Sequence, residues 1–279
     1  MYNLETKTMK KILYIIALSL FCSVACEQNK TNDDDTVDVN TSSLTYVAEN
    51  IAGHEVVIVK PNDIEFTAPL VVVVADDLEL KTRMSPTPEV PDVNFKAAEH
   101  CLIGRYTLCI VGAEAGEDVS FLAAVKEAFP TASKAYLLSY RNGYAYTAAM
   151  QMPDTFAAYA CVSGAIDVEP YKTLSFTKPV SFVHVHAVNN PECKWEGVEG
   201  KSASVSLSVG AVVAINENIT YKTSTLMPRE GKGQVSCTHY TGGKSGCDVK
   251  LYTVESANSG WCDEEFEVYN QIWNFFKAH

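Results

Sequence analysis

From Leu44 to the C-terminus, two kinds of apolar pattern alternate along the chain. Continuous or every-second-residue apolar runs predict strands at Glu55–Lys60, Leu70–Ala75, Thr107–Gly112, Ala135–Ser139, Ala157–Ser163 and Pro179–Ala187. The run Leu70–Ala75 (LVVVVA) has no polar position, as a strand covered on both faces requires. Between strands, Glu117–Phe129 sets Phe121, Leu122, Val125 and Phe129 on one side of a helix. Asn142–Met152 reads as a helix, and so does Ser202–Ile215 despite its β-branched residues. Val235–Tyr240 and Val249–Val254 flank a turn at Thr241–Gly246 and predict a hairpin. The chain closes on a helix over Asp263–Ala278, with Phe266, Tyr269, Trp273 and Phe276 at helical spacing. This alternation predicts an α/β fold, a mostly parallel central sheet flanked by helices. No linker or repeat interrupts residues 44–279, so they are expected to form one domain.

The first 43 residues have a different pattern. Met9-Lys10-Lys11 is a positive start, and Ile12 to Phe21 is an apolar run too short to span a bilayer. Ser23-Val24-Ala25-Cys26 follows, and small residues before a cysteine resemble a bacterial lipobox. Residues 1–25 are therefore expected to be a lipoprotein signal peptide, with Cys26 as the lipidated first residue. Residues 26–43 are polar and acidic, a flexible tether. An acidic stretch directly after the lipidated cysteine resembles the surface-export signal of Bacteroidetes lipoproteins. The implied location is the outer membrane, facing outward.

Charge narrows the partners. The whole chain carries −12, and without residues 1–25 it keeps 19 basic and 33 acidic residues, a net −14. So acidic a chain is no nucleic-acid binder, and it would not hold anionic headgroups by charge. The expected membrane partner is reached through the lipid on Cys26 alone. No nucleotide, flavin or metal motif is present, so no cofactor and no metal is expected. Seven cysteines remain after Cys22 and Cys26, at spacings that match no zinc pattern. Cys237 and Cys247 flank the hairpin turn, and a cross-strand disulfide between them is expected.

The segment Glu117–Ile166 carries the strongest family signal. Glu117-Asp118-Val119 opens a helix, Asn142-Gly143 follows a strand, and Pro153-Asp154-Thr155-Phe156-Ala157-Ala158 and Val162-Ser163-Gly164 come after. Later, Pro179–Gly197 contains His184-Val185-His186 and ends in an aromatic, an acid and glycine, and Leu251–Trp261 begins Leu-Tyr and ends in Trp. In this order the motifs resemble α/β hydrolases of the secreted feruloyl and acetylxylan esterase and polyhydroxybutyrate depolymerase type. The resemblance implies an α/β-hydrolase fold, and it covers most of residues 55–279.

In that family a serine on a tight strand-to-helix turn attacks an ester, a histidine takes its proton and an acid orients the histidine. Here the serine position falls on Arg141, the acid position on Asn190 and the histidine position on Ser259. The oxyanion loop falls on Ala75-Asp76, where an acid would repel an oxyanion. Only Ala113 to Gly116 stand where the family builds its cleft, so the cleft loops are shortened. The resemblance therefore implies a hydrolase fold that has lost its chemistry, acting as a surface binding or accessory protein.

Two readings of Arg141 stay open. It binds a small carboxylate or an acidic sugar of a polysaccharide at a helix N-terminus, or it pairs with Asp76 or Asp77. Trp195 and Tyr144 could stack on such a ligand, as could Tyr146 and Trp261. The alternative is an active carboxylic-ester hydrolase, on acylated polysaccharide or polyester, with its nucleophile relocated to Ser139, Ser163 or Cys193 near His184 or His186.

Overall fold

The computed structural model describes residues 43–75, 93–168, 175–227, 229–255, 261–262 and 265–279. The signal peptide, nearly all of the tether, Asp76, Asp77 and Ser259 lie outside the described residues. No helix among the described residues is long and apolar enough to cross a membrane.

Ten strands form one sheet: β1 (Leu44–Ile51), β2 (His54–Pro61), β3 (Leu70–Ala75), β4 (Thr107–Gly112), β5 (Ala135–Tyr140), β6 (Ala158–Val162), β7 (Phe182–Ala187), β8 (Thr220–Leu226), β9 (Val235–Thr241) and β10 (Val249–Val254). Their order across the sheet is β1-β2-β4-β3-β5-β6-β7-β10-β9-β8. The six middle strands, β4 to β10, run parallel. The outer pairs β1–β2 and β9–β8 are antiparallel.

Among the described residues six α-helices accompany the strands: α1 (Val93–Gly104), α2 (Ala113–Gly116), α3 (Val119–Glu127), α4 (Tyr144–Gln151), α5 (Val205–Asn216) and α6 (Val268–Ala278). Residues of α1 and α6 share one buried cluster with Val71 and Val73. Those of α3, α4 and α5 share the other with Leu70, Val72 and Val74. This explains β3: successive side chains point to opposite faces, and both faces are covered.

Local chemistry sets several boundaries. Asp118 caps α3, accepting from the Ser120 amide at 2.8 Å. Ser204 caps α5, accepting from the Leu207 amide at 3.1 Å. The hairpin forms as expected, but its disulfide does not. Register pairs Cys237 with Tyr252 and Tyr240 with Val249, which places Cys247 near the turn end and Cys237 several residues down the strand. Both thiols are free, as are Cys101, Cys109, Cys161, Cys193 and Cys262. All seven are expected to titrate with a thiol reagent in denaturant without reductant, and reductant is expected to leave the melting temperature unchanged.

The sheet reverses its direction of growth at β3. The chain passes from β3 to β4 on one side, then to β5 on the other. In open α/β sheets such a reversal opens a crevice at the C-terminal strand ends, the usual place for a site.

Candidate functional site

Beyond the end of β5, Arg141 makes the turn into α4 with φ at +63°. A non-glycine residue in this left-handed conformation costs about 1–2 kcal/mol. Its neighbourhood is built to hold it. The Arg141 amide donates to the Val162 carbonyl at 2.9 Å. Asn142 Nδ2 donates back to the Tyr140 carbonyl at 2.9 Å. The Asn142 carbonyl accepts from Ser139 Oγ at 3.2 Å and from Cys161 Sγ at 3.4 Å.

Two glycines permit the close packing. A Cβ on Gly143 would lie 2.2 Å from the Ala165 carbonyl oxygen, and one on Gly164 would lie 2.0 Å from the Asn142 carbonyl oxygen. The family-like Asn142-Gly143 and Val162-Ser163-Gly164 motifs are thus the two sides of one backbone contact.

The start of α4 is not open to a ligand in the way the sequence suggested. The Tyr144 amide donates to Asn142 Oδ1 at 3.2 Å, and the Ala145 amide donates to Ser139 Oγ at 3.3 Å. The side chains of Asn142 in the turn and Ser139 at the end of β5 have taken these donors.

Arg141 has an acid partner that the sequence did not single out. Its Nε lies 3.0 Å from Glu192 Oε2, with both side chains about half exposed. The guanidinium also lies over the Tyr140 ring, 5.0 Å from its centre. Glu192 arrives on the turn after β7, and Asn190 holds that turn. Asn190 Oδ1 accepts from the Glu192 amide at 2.9 Å and the Cys193 amide at 3.4 Å. Its Nδ2 is buried without a hydrogen-bond partner. Arg141 and the Asn190 turn are therefore brought together.

The proposed stacking residues separate by burial. Tyr146 and Trp261 are core residues, 0% and 7% exposed, so neither is open to a sugar ring. Trp195 and Tyr144 are half-buried against the α3–α5 cluster, and Trp195 packs edge-on against His186, 5.7 Å between centres.

The buried histidines form a chain with one consistent proton arrangement. Tyr146 Oη lies 2.8 Å from His184 Nδ1, His184 Nε2 lies 3.3 Å from His186 Nδ1, and His186 Nε2 lies 2.9 Å from the Cys193 carbonyl. The carbonyl only accepts, so His186 Nε2 carries the proton. His186 Nδ1 then accepts from His184 Nε2, and His184 Nδ1 accepts from the Tyr146 hydroxyl. Both rings are neutral. Burial, joined by the second ring, pushes His184 well down, and burial pushes His186 down.

The two serine candidates are closed in, and Cys193 is half-buried. Ser139 and Ser163 are 0% exposed. Burial, with Asp167 nearby, pushes the Cys193 thiol up to about 11. At neutral pH it is a thiol, not a thiolate. His186 bonds the Cys193 carbonyl oxygen.

No protein-family model matches the chain, and no curated protein matches its sequence. Solved structures do match. Oligopeptidase B from Leishmania major superposes with a TM-score of 0.52 at 8% identity, over 86% of this chain and 36% of that one. A provisionally assigned dipeptidyl aminopeptidase IV from Bacteroides ovatus gives 0.51 at 10% identity, over 85% and 36%. The fold is that of the α/β hydrolases. The chain spans little more than a third of the length of these two peptidases. A provisionally assigned dienelactone hydrolase from Klebsiella pneumoniae gives 0.49 at 8% identity, over 85% of this chain and 99% of that one. A nucleophile elbow is a strained strand-to-helix turn. The turn between β5 and α4 is a strand-to-helix turn strained at Arg141.

Proposed function

We propose that this α/β-hydrolase domain is non-hydrolytic and binds carboxylate-bearing ligands at the elbow through Arg141. The observation that carries the reading is the Arg141–Glu192 pair at the elbow tip, 3.0 Å apart. A guanidinium is always protonated and cannot attack a carbonyl. It does accept carboxylates, and Glu192 is such a group already in place. Both partners are half exposed, so a soluble acid can compete with Glu192. Uronic acids and aromatic acids have the chemistry required. The domain would be tethered through lipid on Cys26 to the outer membrane, facing outward, as an accessory protein.

The deciding experiment is turnover of an activated acetyl ester by the purified protein. The expected rate equals that of free imidazole and an unrelated protein. Loss of a complete triad costs about a million-fold in kcat, so the contrast is wide. Turnover above that background, abolished by Cys193→Ala, Ser139→Ala or Ser163→Ala, would overturn the reading in favour of a relocated nucleophile. Calorimetric titration with galacturonate and ferulate tests the binding half, with Arg141→Gln expected to abolish any heat.

A further inference from the structure

Among the described residues β8 ends the sheet, and only its inner edge has a partner strand. From Thr220 to Thr225 every residue is exposed. Its register sets Tyr221 opposite Tyr240, Thr223 opposite Thr238 and Thr225 opposite Ser236. Residues directly opposite share a face, so these six side chains form one surface. In β10 the same face carries Val249 and Leu251, buried in the α3–α5 cluster. Helix α5 packs on β7 and β10. β8 lies beyond that cover, and Tyr221 is 72% exposed.

The chemistry of this face differs from that of the rest of the chain. None of its six side chains is charged, in a protein with 34 acidic and 22 basic residues. Edge strands commonly turn charge to solvent, which prevents sheet-to-sheet pairing. The one charge in β8, Lys222, stands on the opposite face. The exposed Tyr221 ring lies 5.9 Å from the half-buried Tyr240 ring at 40°, a tilted pair of apolar plates with polar tips. Beside them run four hydroxyls, with Thr223 and Thr238 bonded to each other at 3.0 Å. A pyranose ring is the complement of this surface, with an apolar C–H face and a rim of hydroxyls. An anionic chain would find no cation on the face. A protein partner fits less well, because serine and threonine rarely carry protein–protein binding energy.

We propose that the Tyr221–Tyr240 face of β8 and β9 binds a neutral polysaccharide chain. Sugar rings stack on the two phenols, and Thr223, Thr225, Thr238 and Ser236 exchange hydrogen bonds with sugar hydroxyls. From Tyr221 to Thr225 the strand advances four residues, a platform about 13 Å long, enough for a short run of sugar units. Five strand spacings separate β8 from β5, about 24 Å. The platform is therefore independent of Arg141 and stands or falls without it.

The test is electrophoresis of the purified protein, in a detergent without a sugar headgroup, through gels holding xyloglucan, galactomannan, hydroxyethyl cellulose or soluble starch. At least one of these is expected to retard the protein. Tyr221→Ala is expected to weaken that retention about tenfold, the loss of one stacking contact. Tyr221→Phe should keep most of it, and Arg141→Gln all of it. No retardation by any neutral polymer, or retardation unchanged by Tyr221→Ala, would overturn the proposal. Retardation by polygalacturonate alone would do the same. Sedimentation supplies a further check: a dimer that Tyr221→Ala dissociates would make the face a contact between copies, and the proposal would fail.

Discussion

Mild acid is expected to destabilise this domain well above the carboxylate range. His100, His184 and His186 are all held neutral in the fold. Burial brings His100 down to about 4, pushes His184 well down with help from His186, and pushes His186 down. The unfolded chain takes up protons on all three near pH 6.5, while the folded chain refuses them. Their stabilising effect is therefore complete above about pH 6.5 and is lost as pH falls toward the folded values. Each histidine adds a slope of up to about 1.4 kcal/mol per pH unit below that point. His100 stops contributing near its own folded value of about 4.

Denaturant unfolding at pH 7, 6 and 5 measures this directly. A flat profile would mean that these rings protonate inside the fold. Two variants separate the sources. His100→Gln should make the slope shallower by one histidine and leave the buried chain of rings intact. Tyr146→Phe removes the donor to His184 Nδ1 and leaves a buried acceptor unmet, which costs about 1–3 kcal/mol at neutral pH.

The elbow supplies the second large effect. Gly164→Ala is expected to cost about 1–3 kcal/mol or more, because its Cβ would sit 2.0 Å from a backbone oxygen that cannot easily move. Gly143→Ala meets a backbone oxygen at 2.2 Å and should behave alike. Gly210 in the middle of α5 is the internal control. Nothing lies within 4 Å of a Cβ there, so Gly210→Ala should stabilise by about 0.5–1 kcal/mol. Thermal unfolding of the three variants measures the contrast. Equal small effects at all three would mean that the elbow backbone yields, and that the contact between the turn and the segment after β6 is loose.

Arg141 illustrates how backbone strain is held at this turn. Its left-handed backbone is unfavourable by itself. Hydrogen bonds from four directions hold the turn, and two glycines let the chain pass close enough to make them. The strained turn presents the Arg141 cation to Glu192.

Much of the architecture was determined by the sequence alone, because burial leaves a periodic trace. β3 and β4 match their apolar runs residue for residue, and α6 keeps Tyr269, Trp273 and Phe276 on its buried side. The turn at Arg141 was legible through the motifs around it. β8 was not, because every residue from Thr220 to Thr225 is exposed and no apolar alternation marks it. α1 was missed as well.

Only the tertiary structure decided which side chains meet. Glu192 lies 51 positions after Arg141 and reaches it through a turn after β7 that Asn190 holds. The disulfide expected from proximity to a turn fails on register, a property of two strands and not of one. The proton order along Tyr146, His184 and His186 follows from three contacts that join α4, β7 and the Cys193 carbonyl. Local patterns specify elements because hydrophobic burial and backbone geometry act over a few residues. Partners across the sheet depend on strand order and register, which no local pattern contains.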